Sequence, residues 1–510
     1  MIPLVQKLYR IRLLTVAGLF RLLEALLTTG VNPMVLLRLA AKLHPDRGIY
    51  VDQRAPVPYP QLWQQAETLA LALQQDYQIR PQQKVAIACR NHGAALTAIF
   101  AVARLGAHLY LLNPELSGDQ LQAVAARMNF DLLIHDEALT PLVAQSTLRD
   151  KALLAYHATT ASVDRLSTQA QPNRPRLPKV AGGAIVVMTG GTTGQPKAVS
   201  RKPSLVNYLP PFLALLTQVH LDRYQSLYVA PPIGHGYGLA MVLIGLLLGV
   251  NLYFTERFAT TQAGALIATH KIQALIVVPV MLQRLLKADP TLLASLQCII
   301  TGGALLSPAL AQAALNQLGP KLYNLYGTSE AGFCIIGTPA LLARKATSLG
   351  QPVQGVAATI IDSTTGEEVA VGKIGQLHIR SRWTANRHRW IATGDLAYCD
   401  ADGDLFLCSR VDDMIVSGGE NVYPLELEHV LSQHPDLEAV AVVGIPDAEF
   451  GQRLKAVVIP KPDATLDQVT LLAWLKPRVA RYQMPAAIEF CAELPYTALG
   501  KIDKKALQQP

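Results

Sequence analysis

Short apolar runs bounded by turn residues alternate, through the first two-thirds of the chain, with longer segments whose apolar positions recur at helical spacing. Val85-Ala86-Ile87-Ala88, Leu132-Leu133-Ile134, Ala184-Ile185-Val186-Val187-Met188, Leu227-Tyr228-Val229 and Leu275-Ile276-Val277-Val278 read as strands; 93–105, 119–127 and 308–318 read as helices. The alternation predicts an α/β fold, a large N-terminal domain of parallel β-α units. A polar, proline-bearing connector spans 159–183. From about residue 350 the character changes. Gly355 to Ile361, Gln376-Leu377-His378-Ile379 and the turn at Asp402-Gly403 predict a small β subdomain over about 351–410. The last hundred residues, with helices over 424–433 and 466–476 and strands around 439–445 and 455–459, predict a separate small α+β domain.

The start of the chain departs from this alternation. Residues 4–27, LVQKLYRIRLLTVAGLFRLLEALL, are strongly apolar, yet Lys7, Arg10, Arg12, Arg21 and Glu24 leave no uncharged span of about 18 residues. A transmembrane helix is not expected. No small-residue cleavage site follows, so neither is a signal peptide. An amphipathic leader over 1–48 remains, which either packs on the large domain or rests on an anionic membrane surface.

Composition narrows the picture modestly. Half of the 510 residues are apolar and 16% are charged, which fits a compact protein of two or more domains. The formal charge of +8 suits an anionic surface or phosphate-bearing ligands. No dense Lys/Arg run with interleaved aromatics accompanies it, so nucleic acid is not an expected partner. Six cysteines, at 89, 298, 334, 399, 408 and 491, form no Cys-x-x-Cys pair, which argues for a reducing, cytoplasmic setting.

Candidate chemistry begins at TGGTTGQPKAVS, residues 189–200, directly after a strand-like run. Gly190, Gly191 and Gly194 let a backbone turn sharply and approach a ligand, while Thr189, Thr192, Thr193 and Lys197 offer donors to anionic oxygens. It is not the Walker pattern, because Lys197 follows a proline rather than closing a Gly-Lys-Ser/Thr spacing. Alone it reads equally as a phosphate cradle or a flexible turn. Downstream come YNLYGTSEAG (323–332), ATGDLAY (392–398), SRVDDMIVSGGENVYPLELE (409–428) and LPYTALGKIDKKAL (494–507).

These five motifs, in this order, resemble the adenylate-forming superfamily of acyl- and aryl-CoA ligases, peptide-synthetase adenylation domains and luciferases. The resemblance covers most of the chain and implies an acid–thiol ligase using ATP, Mg²⁺ and coenzyme A. It also implies the domain plan: a large domain over 49–410, a hinge at 411–412 and a mobile C-terminal lid over 413–510. By the same resemblance Thr192, Thr193 and Lys197 would hold the β- and γ-phosphates, and Glu330 would ligate magnesium. Tyr326 would stack on adenine, with Asn324 and the Gly302-Gly303-Ala304 turn lining the base pocket and Gly327, Thr328 and Ser329 completing the nucleotide site. Asp395 would accept from both ribose hydroxyls with help from Arg410. Lys501 would bridge the substrate carboxylate and the α-phosphate. Rotation about Asp412 would then exchange Lys501 for Gly418 and Gly419, which leave room for a pantetheine arm.

Departures and specificity complete the reading. Ala198, Ser329 and Ser409 are small changes from the family pattern. The segment Arg380 to Trp390 is shorter than usual, and Gln483 stands where CoA ligases often have lysine, so an acyl carrier protein stays open beside CoA as acceptor. Gly234-His235-Gly236-Tyr237-Gly238, followed by apolar residues to Leu248, resembles the acyl-pocket entry, with His235 either near the carboxylate or a satisfied core histidine. The aliphatic lining, without a charged partner, points to a small-molecule carboxylic acid with an apolar chain, a medium or long fatty acid, rather than an amino acid.

Overall fold

The computed structural model describes residues 2–52, 54–169, 176–189, 197–201, 204–384, 389–417, 420–447, 449–462, 464–497 and 500–508. The chain forms two compact units, one of residues 1–277 with 287–300, the other of 278–286 with 301–510. The expected α/β class holds.

The first unit carries the parallel β-α units. One sheet runs in the order Ala152–Leu154, Leu132–His135, Lys84–Ala88, His108–Leu111, Ile185–Thr189, Lys197–Arg201, parallel throughout except for the last pair. Helices Gly93–Arg104 and Gly118–Met128 make the crossovers, within one residue of the segments expected from periodicity. In a second sheet Gly48–Val51, Asn251–Phe254, Ser226–Val229 and Ala274–Val277 follow one another in parallel. Both sheets reverse direction of growth at one strand. Lys84–Ala88 lies between the two strands that follow it in the chain, and so does Ser226–Val229. At such a reversal the connections leave to opposite sides and open a crevice beyond the strand's carboxyl end.

The leader over 1–48 forms three helices, Ile2–Arg10, Val16–Thr29 and Met34–Leu43. Arg12 adopts a left-handed conformation (φ 63°), and Thr15 caps the second helix by accepting from the Gly18 amide. A Cβ on Gly18 would lie 1.9 Å from the Arg12 carbonyl oxygen, so only glycine fits this corner. The first helix is tied to its unit by charge: Lys7 and Arg10 reach the carboxylate of Asp222 at 2.9 and 2.7 Å, and that carboxylate is fully buried. No helix among the described residues is long and apolar enough to cross a membrane.

The second unit is mostly antiparallel. Leu322–Thr328, Gly332–Gly337, Ser348–Pro352, Leu405–Arg410, Ile391–Cys399, Gly375–Arg380 and Ala357–Ile361 are successive neighbours in one sheet. The expected hairpin at Asp402-Gly403 joins two of them, and Lys345 closes it by holding Asp400, Asp402 and Asp404 at 2.6, 2.6 and 2.7 Å. The C-terminal portion pairs Leu437–Asp447 with Gly451–Pro460 and packs helices Pro424–Leu431 and Gln468–Leu475 on them through Leu427, Leu431, Val442, Leu454, Leu471 and Leu475.

Candidate active site

In the first unit both sheet reversals feed the same place. The turn after Lys84–Ala88 carries Asn91, and the turn after Ser226–Val229 runs through Pro231 to His235. Asn91 joins them: its Oδ1 accepts from the Ile233 amide at 2.7 Å and its Nδ2 donates to the Pro231 carbonyl at 3.2 Å. This buried clamp was not expected from motif matching. Its position just past the carboxyl end of a reversal strand is the signal that could have revealed it.

The clamped turn delivers His235 to the start of helix Gly236–Leu248. Its Nδ1 accepts from the Tyr237 amide (3.4 Å), so the ring caps the helix and leaves Nε2 as the protonated nitrogen. Close packing sets the glycines around it, since a Cβ on Gly238 would stand 2.2 Å from the Pro232 carbonyl oxygen. Tyr237 is held by its hydroxyl, which donates to the Ile300 carbonyl at 3.2 Å. The backbone of Gly236 lies beside Val187, since a Cβ there would be 3.6 Å from a Val187 methyl. The histidine cap is therefore next to the strand Ile185–Thr189 that leads into the Gly/Thr motif. That strand pairs antiparallel with Lys197–Arg201, Thr189 opposite Lys197. The residues joining them, including Gly190, Gly191, Thr192, Thr193 and Gly194, lie outside the described residues, as do the side chains of Thr189 and Lys197.

The second unit assembles the other motifs. Asp395 and Arg410 are register partners on neighbouring strands, and the Arg410 guanidinium donates to Asp395 Oδ1 at 3.0 Å. Gly394 between them has φ 76°, and a Cβ there would be 3.1 Å from the guanidinium, which accounts for glycine in Thr-Gly-Asp. Thr393 braces the turn by donating to the Leu377 carbonyl and accepting from the Asp395 amide. The other carboxylate oxygen accepts from the Tyr326 hydroxyl at 2.5 Å. Burial pushes the Asp395 carboxyl above its ordinary range, against the pull of Arg410, the Tyr326 hydroxyl and Lys501. Burial and the Asp395 charge hold Tyr326 well above the usual phenol value, so it stays a donor.

The strand bearing Tyr326 slips register at Gly327, where a Cβ would stand 2.3 Å from the Gly332 carbonyl oxygen. Thr328 accepts from the Ala331 amide and closes the turn that carries Ser329 and half-buried Glu330. Asn324 is buried on the same strand, and Gly302 ends the strand Cys298–Gly302, followed by Gly303 (φ 77°) and Ala304.

Lys501 belongs to the same unit. Gly500 (φ 71°) precedes it, and a Cβ there would meet Val278 and Val280 at 2.8 and 2.9 Å. The Thr497 amide donates to the Lys501 carbonyl at 2.7 Å, which closes the loop. Desolvation first, then the Arg410 charge, lowers the ammonium's pKa below the usual lysine value, with Asp395 opposing. The helix that follows is anchored by Lys504, which reaches Asp413 at 3.1 Å and Glu428 at 3.6 Å. Asp412 lies between, 3.9 Å from Arg410. Gly418 and Gly419 lie outside the described residues. Gln483 donates to Glu426 at 2.6 Å.

One unit thus brings a helix cap beside the strand pair that flanks the Gly/Thr motif, and the other sets a buried carboxylate within the field of two cations. Displaced charges of this kind gather where a polar ligand binds. The AMP-binding enzyme family matches residues 37–387, and the AMP-binding enzyme C-terminal domain matches 426–501; the chain belongs to this family of AMP-dependent synthetases and ligases. Its relatives place it among the AMP-forming acid–CoA ligases. The feruloyl-CoA synthase of Amycolatopsis sp is 32% identical over 449 residues, 84% of this chain and 88% of that protein. The indoleacetate–CoA ligase of Aromatoleum aromaticum is 29% identical over 499 residues, 92% and 96% of the two chains. Among solved structures, the amide bond synthetase McbA from Marinactinospora thermotolerans superposes with a TM-score of 0.81 at 26% identity, covering 93% of this chain and 99% of that one.

Proposed function

We propose that this ligase activates an apolar carboxylic acid, of the medium- or long-chain fatty class, as an acyl adenylate and passes the acyl group to coenzyme A in the cytoplasm. The observation that supports the residue assignment is the Tyr326–Asp395–Arg410 arrangement with Lys501 in its electrostatic reach.

The chemistry follows from charge. A carboxylate oxygen attacks the α-phosphorus of ATP, an O–P bond forms, the α–β bridge breaks and pyrophosphate leaves. Both reactants are anions, so cations at their junction lower the barrier most. Lys501 takes that role, carried directly after Gly500 in its left-handed conformation. Thr192, Thr193 and Lys197 hold the β- and γ-phosphates at the hairpin, Asp395 and Arg410 bind the ribose, Tyr326 and Asn324 face the adenine with the Gly302–Ala304 turn, and His235 orients the acid. Glu330 fits Mg²⁺, which takes one or two carboxylates together with substrate phosphates. When bound, the metal would spread the triphosphate charge. The thiol of CoA then attacks the acyl carbonyl, and AMP departs with the C–O bonding pair. Gly418-Gly419 and Lys501 both follow Asp412 in the chain, so a rotation about that residue would carry both and exchange one for the other.

Acid-dependent exchange of labelled pyrophosphate into ATP tests the first step across a panel running from octanoate and palmitate to ferulate and indoleacetate. Exchange with none of them overturns the reading. A second reading, an aromatic acid, is favoured by what the relatives' names state of those proteins, and exchange confined to the aryl acids would select it. AMP release with CoA against release with a holo carrier protein decides the acceptor. Asp412→Pro is expected to keep adenylation and impair thioester formation; equal retention of both removes the hinge from the mechanism.

A further inference from the structure

The helix Val16–Thr29 is inverted relative to a solvated surface helix. Its buried side is made of small residues, Gly18, Ala25 and Thr29, while Val16, Leu19, Phe20, Leu23 and Leu27 point outward, Val16 88% exposed and Phe20 and Leu27 each 61%. At 100° per residue those five fall within an arc of about 100°. Val5, Tyr9, Leu14 and Val31 are also exposed, so nine of the eighteen exposed large hydrophobics among the described residues lie in this one short segment. Such concentration marks an interaction site, because a soluble surface scatters these residues singly.

Charge identifies the occupant. Residues 2–45 carry six cations, Lys7, Arg10, Arg12, Arg21, Arg38 and Lys42, against one acid, Glu24. The acid is already held by Arg21 at 2.8 Å and Arg38 at 2.9 Å. Arg10, Arg12 and Arg21 keep substantial exposure beside the apolar arc. A second copy meeting this face across a twofold axis would bring like charges together, whereas an anionic lipid surface complements both the apolar arc and its basic flanks. The fourteen-residue helix, about 21 Å long, suits lying in the interface rather than spanning it.

We propose that the helix Val16–Thr29 docks the enzyme on an anionic membrane surface, with Val16, Leu19, Phe20, Leu23 and Leu27 inserted and the leader's arginines at the headgroups. The proposal rests on the leader's own residues and does not depend on which acid is used.

Flotation of the full chain with vesicles tests it, phosphatidylcholine alone against phosphatidylcholine and phosphatidylglycerol in equal parts. Binding is expected to the anionic vesicles, to weaken with salt, and to fall about tenfold or more in the combined Leu19→Gln, Leu23→Gln variant. Thermal melting and pyrophosphate exchange in that variant should match the parent. Equal partition of parent and variant overturns the proposal. So does a parent that leaves vesicles unbound but forms a concentration-dependent dimer that the variant loses, which would assign the face to a second copy.

Discussion

Asp222 in the first unit and Asp395 in the second are both buried carboxylates attended by two cations, yet they are built for different purposes. At Asp222 each oxygen meets a cation directly, Lys7 at 2.9 Å and Arg10 at 2.7 Å, and the result is a closed ion triad that pins the leader. At Asp395 only Arg410 makes contact, the second oxygen is taken by the Tyr326 hydroxyl, and Lys501 acts from further away. Burial of Asp395 is left partly uncompensated, so its carboxyl is pushed up, while local desolvation and the Arg410 charge push the Lys501 ammonium down although the residue reaches solvent. A site whose charges are displaced from their ordinary values gains most from an incoming ligand. The same three groups thus make a fastener when fully paired and, in the role proposed for Asp395, a receptor when not.

The contrast can be broken most directly at the fastener. Asp222→Ala takes the shared carboxylate from Lys7 and Arg10, leaving Lys7 only its contact with His220 at 2.8 Å, and is expected to destabilise the protein by about 1–3 kcal/mol, read by denaturant unfolding, with the KM for ATP unchanged in the folded fraction. Lys501→Ala should behave in the opposite sense, with melting unaltered and acid-dependent pyrophosphate exchange reduced about 10²–10³-fold. If Lys501→Ala destabilised the fold as Asp222→Ala does, the distinction would fail. Asp395→Asn is expected to raise the KM for ATP about ten- to hundredfold, the loss of a charged hydrogen-bond acceptor.

A pH profile sharpens the same point. In the role proposed for it Lys501 acts as a cation, so activity would be present below its pKa and lost as pH rises through it. Because that pKa is lowered from 10.5, the alkaline limb of kcat/KM for adenylation should begin below the ordinary lysine range, and Lys501→Arg should move it upward. The smallest effect is expected at an exposed pair. Arg54 and Glu256 are 2.8 Å apart and about half and one-third exposed, and Arg54→Gln should change stability by less than about 1 kcal/mol.

Much of this was legible along the chain. The strands at 84–88, 132–135 and 226–229 and the helices at 93–104 and 308–318 fall where local periodicity puts them, because a buried strand or a one-sided helix needs only near neighbours of the right polarity. Gly394 and Gly500 take left-handed conformations beside crowded neighbours, where little but glycine is tolerated. The motif residues could be placed on a site through their resemblance to a family. Their partners could not.

Pairings across long stretches were decided by the tertiary structure alone. Tyr326 meets Asp395 over 69 residues, and Asn91 ties a turn 142 residues away. Neither follows from spacing: the first depends on which strands become neighbours and in what register, where a shift of one residue would turn the side chain to the opposite face, and the second on two turns being brought together by the sheets that end in them. The leader shows the division most clearly. Its sequence set an apolar segment interrupted by charge, but whether the large residues faced inward or out depended on the corner at Arg12 and Gly18 and on the pull of buried Asp222. Polarity is a property of residues; the direction a helix faces is fixed only by what it is packed against.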